Sequence, residues 1–202
     1  NSLVPIFSYT TINIPDTIDN SINYEELYVV DFDHDNNLDF LATTLKFPPT
    51  IPATYNPIIA YKNNGGLNFA SANPFSGDAN VVHPRDYTVG DFNNDGRSDI
   101  FIIDHGTDTN PFPGNVNKLF LQNASGQLVN TPGNIPSLSD FSHHTASADI
   151  DNDGDLDLYV CNVYGQNNIG PYFLINNGSG NFTFNNTNFP AAIANLTLKY
   201  LS

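Results

Sequence analysis

Asp31-Phe32-Asp33-His34-Asp35-Asn36-Asn37-Leu38-Asp39 is a nine-residue phrase that the chain states twice more, as Asp91-Phe92-Asn93-Asn94-Asp95-Gly96-Arg97-Ser98-Asp99 and Asp149-Ile150-Asp151-Asn152-Asp153-Gly154-Asp155-Leu156-Asp157. In every copy, positions 1, 3, 5 and 9 carry an oxygen-bearing side chain. Carboxylates crowded this closely repel one another, so a cation is expected among them. Hard oxygen ligands at alternating positions, with a sharp turn at position 6, suit Ca²⁺. The spacing is related to the EF-hand loop but shorter, because its last carboxylate falls at position 9 and not at 12.

The turn chemistry agrees. Gly96 and Gly154 fill position 6, where a positive φ is expected. The first copy has Asn36 there, the next most tolerant residue type for the left-handed region. Position 7 is Asn37, Arg97 or Asp155, a set so varied that the backbone carbonyl is the expected ligand, with the side chain pointing outward. The candidate metal ligands are therefore Asp31, Asp33, Asp35, Asn37 and Asp39; Asp91, Asn93, Asp95, Arg97 and Asp99; and Asp149, Asp151, Asp153, Asp155 and Asp157. Asp/Asn/Gly clusters also occur as plain polar turns. Three copies starting 60 and then 58 residues apart, each followed by an apolar run, argue against that reading.

The formal net charge is −15, from 21 acidic and 6 basic side chains, and three bound dications would bring it to −9. Twelve of the acidic residues lie inside the three phrases, so the acidity belongs largely to the metal loops. No basic patch exists to attract nucleic acid or an anionic membrane surface. No apolar run is long enough to span a bilayer as a helix, and no membrane insertion is expected. Cys161 falls in a predicted strand and reads as a buried, inert thiol. Low-affinity calcium loops fit an extracellular setting, secreted or at the cell surface, where the ion is abundant. Asn-x-Ser/Thr occurs at Asn123, Asn177, Asn181, Asn185 and Asn195.

Around each phrase the same order of strands and turns recurs, with no helical periodicity. The predicted units are residues 22–75, 84–136 and 141–190. In each, one strand enters the phrase, a second leaves it, a long loop leads to a third strand, and a Gly/Asn turn leads to a fourth. Residues 1–18 read as the last strand of a preceding unit, and residues 191–202 as the first strand of a following one. Four-stranded units repeated in tandem read as β-propeller blades, so the expected class is all-β. A propeller needs at least four blades to close, and this chain spans roughly 3.4 units. The expectation is a window on a longer propeller, or several copies that share blades through their end strands.

Asp-x-Asp-x-Asp-Gly-x-x-Asp between two apolar strands, followed by Asn-x-Gly-x-Gly-x-Phe, is complete in the third unit, where the second motif reads Asn176-Asn177-Gly178-Ser179-Gly180-Asn181-Phe182. This pairing of motifs resembles the FG-GAP/VCBS repeats of integrin-α-like β-propellers. The resemblance implies about seven radially arranged blades, with Ca²⁺ between the first and second strands of each. It also implies extracellular adhesion or recognition, with carbohydrate binding in some members. Asn36 and Asn93 depart from the pattern; with Asn93 the second site has one negative ligand fewer and is expected to bind more weakly than the third.

In that family, ligands are met on the face opposite the metal loops. Here that face would carry the loops 46–57, 104–116 and 162–170, whose Tyr55, Phe112 and Tyr164 are candidates for stacking on a sugar ring. His83, His143 and His144 precede Asp phrases, and His105 lies beside Asp104 and Asp108. No nucleophile motif and no zinc-type spacing accompanies them, so they read as loop or interblade histidines. No pair of carboxylates for glycoside hydrolysis stands apart from the metal loops. The function expected is a non-catalytic binding module for glycan or extracellular protein. The alternative is a scaffold or accessory propeller of a secreted polysaccharide-degrading enzyme, a lyase or glycosidase.

Overall fold

The computed structural model describes residues 23–46, 53–163 and 166–187. The predicted strands at 1–18 and 191–202 lie outside these residues, as does Tyr164. Among the described residues the structure is all-β, without a helix. In chain order the strands are β1 (Asn23–Val30), β2 (Asp39–Leu45), β3 (Asn56–Pro57), β4 (Ile59–Asn63), β5 (Phe69–Ala72), β6 (Phe75–Ser76), β7 (Asn80–Val81), β8 (Pro84–Gly90), β9 (Asp99–Asp104), β10 (Asn115–Val116), β11 (Lys118–Gln122), β12 (Leu128–Asn130), β13 (Ser139–Asp140), β14 (Ser142–Ala148), β15 (Asp157–Asn162), β16 (Tyr172–Asn176) and β17 (Phe182–Asn185).

Three larger sheets hold most of them, in the orders β1-β2-β4-β5, β6-β12-β11-β9-β8 and β14-β15-β16-β17. Neighbours within each sheet are antiparallel, except that β6 runs parallel to β12. In each sheet the first strand ends where an Asp phrase begins, and the second starts on its ninth residue. Val30 pairs with Asp39, Gly90 with Asp99 and Ala148 with Asp157. All three phrases are therefore hairpin connections at the same end of equivalent strand pairs.

The sheets stack face on face. Tyr28, Val30, Leu41 and Ala60 of the first meet Ile100, Ile102, Phe120 and Leu128 of the second. The other face of the second, through Phe101, Ile103 and Leu119, meets Leu158, Val160, Tyr172 and Leu174 of the third. The middle sheet is thus covered on both sides, which is why β9 reads Ile100-Phe101-Ile102-Ile103 without alternation and is buried throughout. The first strands of the sheets run side by side: the Tyr28 and Tyr87 rings stack at 4.2 Å, and the Thr88 and Ser147 hydroxyls are 3.0 Å apart.

The expected fourth strand of the first unit, at residues 69–75, divides in two. β5 ends at Ala72, and after Pro74 the chain crosses to the next sheet, where Phe75-Ser76 adds a fifth strand beside β12. Proline disfavours a continued ladder, and the Phe75 ring finds Phe120 at 5.4 Å in the neighbouring sheet. Two short pairs, β3 with β7 and β10 with β13, tie the long loops to the segments that enter the next sheet.

Candidate metal centres

The three Asp loops share one hydrogen-bond plan. The carboxylate at position 1 accepts the backbone N–H groups of positions 5 and 6: Asp31 from Asp35 and Asn36 at 3.0 and 2.9 Å, Asp91 from Asp95 and Gly96 at 3.0 and 2.8 Å, Asp149 from Asp153 and Gly154 at 3.1 Å each. The position 5 carboxylate accepts the N–H of position 7, at 2.8 to 3.0 Å. These bonds curl the chain around a small central space. Position 6 has the expected positive φ, 67° at Asn36, 81° at Gly96 and 97° at Gly154. Position 4 is left-handed as well, at His34, Asn94 and Asn152. The two asparagines there are a readable signal, since Asn enters that region more easily than most residues.

The ninth residue is the anchor. Asp39, Asp99 and Asp157 are each 0% exposed. One oxygen of each accepts the N–H of position 2: Phe32 at 3.1 Å, Phe92 and Ile150 at 2.9 Å. The other accepts the last N–H of the third strand: Asn63 at 2.8 Å, Gln122 and Asn176 at 2.7 Å. The side chains of Gln122 and Asn176 then reach the previous loop, donating to the carbonyls of Asp31 at 3.0 Å and Phe92 at 2.7 Å. Adjacent loops are thereby linked. Burial raises the Asp39 and Asp99 carboxyls to about 6, against their backbone hydrogen bonds and with the help of the neighbouring loop carboxylates.

Positions 1, 3 and 9 converge. In the first loop one oxygen each of Asp31, Asp33 and Asp39 lie within 4.8 Å of one another, and in the third so do those of Asp149, Asp151 and Asp157. Asp33 Oδ1 is buried with no hydrogen-bond partner. A buried carboxylate oxygen left bare is costly in a protein interior, and this donor set of hard oxygens suits an alkaline-earth cation. Position 5 is not part of these tight groups. The second loop, with Asn93 at position 3, does not bring three acidic groups together in this way.

Two loops contain a basic side chain, one brought from a distant strand and one from within the phrase itself. The Lys62 ammonium, from β4, contacts Asp33 and lies 3.1 Å from Asp35. The expectation that position 7 side chains point outward fails at two loops. The Arg97 guanidinium folds back onto Asp95, with its Nε donating to the Gln122 carbonyl at 3.1 Å, and Asn37 Nδ2 donates to Asp35 at 3.0 Å. Flexible donors close to an acidic loop turn inward because the charge attracts them. Asp155, in the third loop, instead accepts Asn94 Nδ2 of the second loop at 2.7 Å. The Asp151 carboxyl is raised by burial and by the adjacent Asp153 and Asp157, whereas Asp35 is lowered by the Asn37 N–H and by Lys62.

Of the aromatic candidates at the other end of the sheets, Tyr55 is 55% exposed with its hydroxyl 3.4 Å from Asn115 Oδ1. Phe112 stands edge-on to Phe141 at 5.4 Å, which packs its loop down.

Residues 91–160 match the family model of the FG-GAP-like repeat, consistent with the FG-GAP/VCBS resemblance of the Asp phrases. The match spans the second and third loops, strands β9, β11 and β12 of the second sheet, and β14 with most of β15 of the third. No curated protein matches the chain.

Proposed function

We propose that the three sheets are blades of a calcium-stabilised β-propeller that works outside the cell as a non-catalytic binding module for glycan or protein. The observation that carries the calcium reading is the recurrence of one loop architecture three times, with the carboxylates of positions 1, 3 and 9 gathered in two of the loops and Asp33 Oδ1 left bare. Calcium would be held in the first loop by Asp31, Asp33 and Asp39, in the second by Asp91, Asn93 and Asp99, and in the third by Asp149, Asp151 and Asp157. Asp35, Asp95, Asp153 and the carbonyls of Asn37, Arg97 and Asp155 are the further oxygens at hand. The ion would neutralise the crowded carboxylates and pin each first hairpin.

The blade reading is supported by the face-on stacking of the sheets and by the side-by-side first strands. The remaining blades would come from the same parent chain or from neighbouring copies. Four of the six basic residues, Lys62, Arg85, Arg97 and Lys118, lie against carboxylates, which supports a partner other than nucleic acid. The binding surface would be the end of the sheets away from the Asp loops, where Tyr55 is exposed.

Calorimetric titration of the metal-stripped chain with Ca²⁺ tests the first half of this reading. About three equivalents are expected from the three loops; no uptake would overturn it. Glycan-array binding that disappears in EDTA would support the second half. Release of reducing or unsaturated sugar ends from polysaccharide would favour the enzyme-accessory reading instead.

A further inference from the structure

A further group of side chains with metal-ligating atoms lies at the opposite end of the sheets. His83 immediately precedes β8 and His105 immediately follows β9, and these strands pair from Pro84↔Asp104 to Gly90↔Asp99. Both histidines therefore leave the hairpin at its far end, about 20 Å from the second Asp loop. Their rings are nearly closed to solvent, at 5% and 1% exposure. His83 Nδ1 and His105 Nε2 face each other at 2.7 Å. One carboxylate oxygen of Asp108, an exposed residue of the following loop, completes a group of three ligand atoms within 4.8 Å of one another.

We propose that His83, His105 and Asp108 bind a divalent transition metal ion of the zinc class. The donor set, two imidazoles and one carboxylate, is of the kind such ions take, and it leaves a further coordination position open. It is poorly suited to Ca²⁺, which takes oxygen ligands.

The outer contacts match what ligating imidazoles require. If His83 binds through Nδ1, its Nε2–H can donate to Glu25 Oε1, which lies 3.1 Å from Nε2. If His105 binds through Nε2, its Nδ1–H can donate to His143 Nε2 at 3.2 Å. A carboxylate or acceptor behind each ligating imidazole fixes the tautomer and orients the ring. Arg85 lies 3.8 Å from Glu25 and 3.4 Å from His83 Nε2, so it balances the charge of that carboxylate at the edge of the site.

The cluster is held from several directions. The His105 ring stacks on Phe141 at 4.3 Å and 11°. The buried Asp104 carboxylate accepts the N–H groups of Val82, His83 and Gly106 at 2.7, 2.8 and 3.2 Å, and Asn115 Nδ2 at 2.8 Å, fixing the backbone on both sides of the pair. Gly106 is left-handed at φ 77°, and a Cβ there would come within 2.5 Å of the Gly114 carbonyl, so this loop can close only with glycine at 106. All three first strands carry a register shift at this end, at Tyr24/Leu27, Pro84/Asp86 and Ser142/His144. Glu25, Arg85 and His143 lie within these irregularities, which turn side chains out of the regular alternation.

The test uses the full chain saturated with Ca²⁺, so that the Asp loops are not the sites read, and titrates it with Co²⁺ as a visible stand-in for Zn²⁺. The expected result is one equivalent of Co²⁺ bound, with visible absorption bands of a low-coordinate site, displaced by Zn²⁺. Asp108→Asn is exposed and should fold normally; it should weaken Co²⁺ binding by at least roughly tenfold, and Glu25→Gln by roughly 10–100-fold. His83→Phe and His105→Phe should abolish the spectrum. Calcium heats should be the same in Asp108→Asn as in the parent chain, which separates this site from the loops. No stoichiometric Co²⁺ uptake, or uptake that survives both Asp108→Asn and His83→Phe, would overturn the proposal and leave a histidine chain joined only by hydrogen bonds.

Discussion

The loops Asp31–Asp39 and Asp149–Asp157 have the same backbone plan and the same converging carboxylates, yet one contains a protein cation and the other does not. In the first, Lys62 contacts Asp33 and Asp35. In the third, among the described residues, no basic side chain pairs with Asp149, Asp151, Asp153 or Asp157. The cause is one register position. Asn63, Gln122 and Asn176 are equivalent, since each gives its N–H to the ninth carboxylate of its own loop. The residues before them are Lys62, Leu121 and Ile175. A loop thus keeps its shape whether its charge is met by a side chain of the third strand, by an arginine of its own, or by no basic side chain among the described residues.

The largest effects should be the ones the two loops share. Asp39→Ala and Asp157→Ala each leave two buried N–H groups without an acceptor, at about 1–3 kcal/mol apiece. Thermal unfolding should therefore show losses of roughly 2–6 kcal/mol for both variants. A large loss for one and none for the other would break the equivalence.

Calcium removal comes next. A site with a dissociation constant of about 0.1 mM gains about 1.4 kcal/mol in ~1 mM Ca²⁺, so three together contribute about 4 kcal/mol. For a chain of this size EDTA should lower the melting temperature by roughly 10 °C, and an unchanged melt would count against calcium in all three loops.

The exchange of one residue then sharpens the comparison. Lys62→Ile should raise the Ca²⁺ affinity of the first loop by roughly tenfold, because a cation no longer competes for Asp33 and Asp35. Ile175→Lys should lower that of the third loop by a similar factor, read by calorimetry. Equal affinities in the parent and both variants would mean that Lys62 swings aside at no cost.

The smallest effect is on pH dependence. Asp39 and Asp99 are raised from 3.8 to about 6 in the metal-free fold. The stripped folded chain then binds protons more tightly than the unfolded chain, so their contribution is complete below about pH 4 and is lost as pH rises through about 6. Calcium requires the ionised carboxylates, so its affinity should fall across the same window as pH is lowered. The stability difference between the stripped parent and stripped Asp39→Asn should therefore change between about pH 4 and 6, and a difference that stays flat would sink this assignment.

Much of this is legible in local sequence. Gly96 and Gly154 announce the turn, the apolar runs on either side announce the strands, and Asp91 to Asp99 can be read as a hairpin loop of oxygen donors before any contact is known. The division at Pro74 is harder to read, because a proline marks a strand end without saying which sheet takes the next residues. The role of the ninth carboxylate is hidden for a similar reason: its partners Asn63, Gln122 and Asn176 lie 19 to 24 residues further on.

The repeated loop, its oxygen donors, its turn positions and the all-β texture follow from the amino-acid order, since they depend on residues within hydrogen-bond reach along the chain. That Lys62 enters the first loop, and that Ile175 stands in its place at the third, follows only from how the strands pair. The same holds for His83, His105 and Asp108, 22 and 3 residues apart in sequence, and for Glu25 and His143 behind them. Strand pairing and sheet stacking set those distances, and they depend on contacts that no local spacing records.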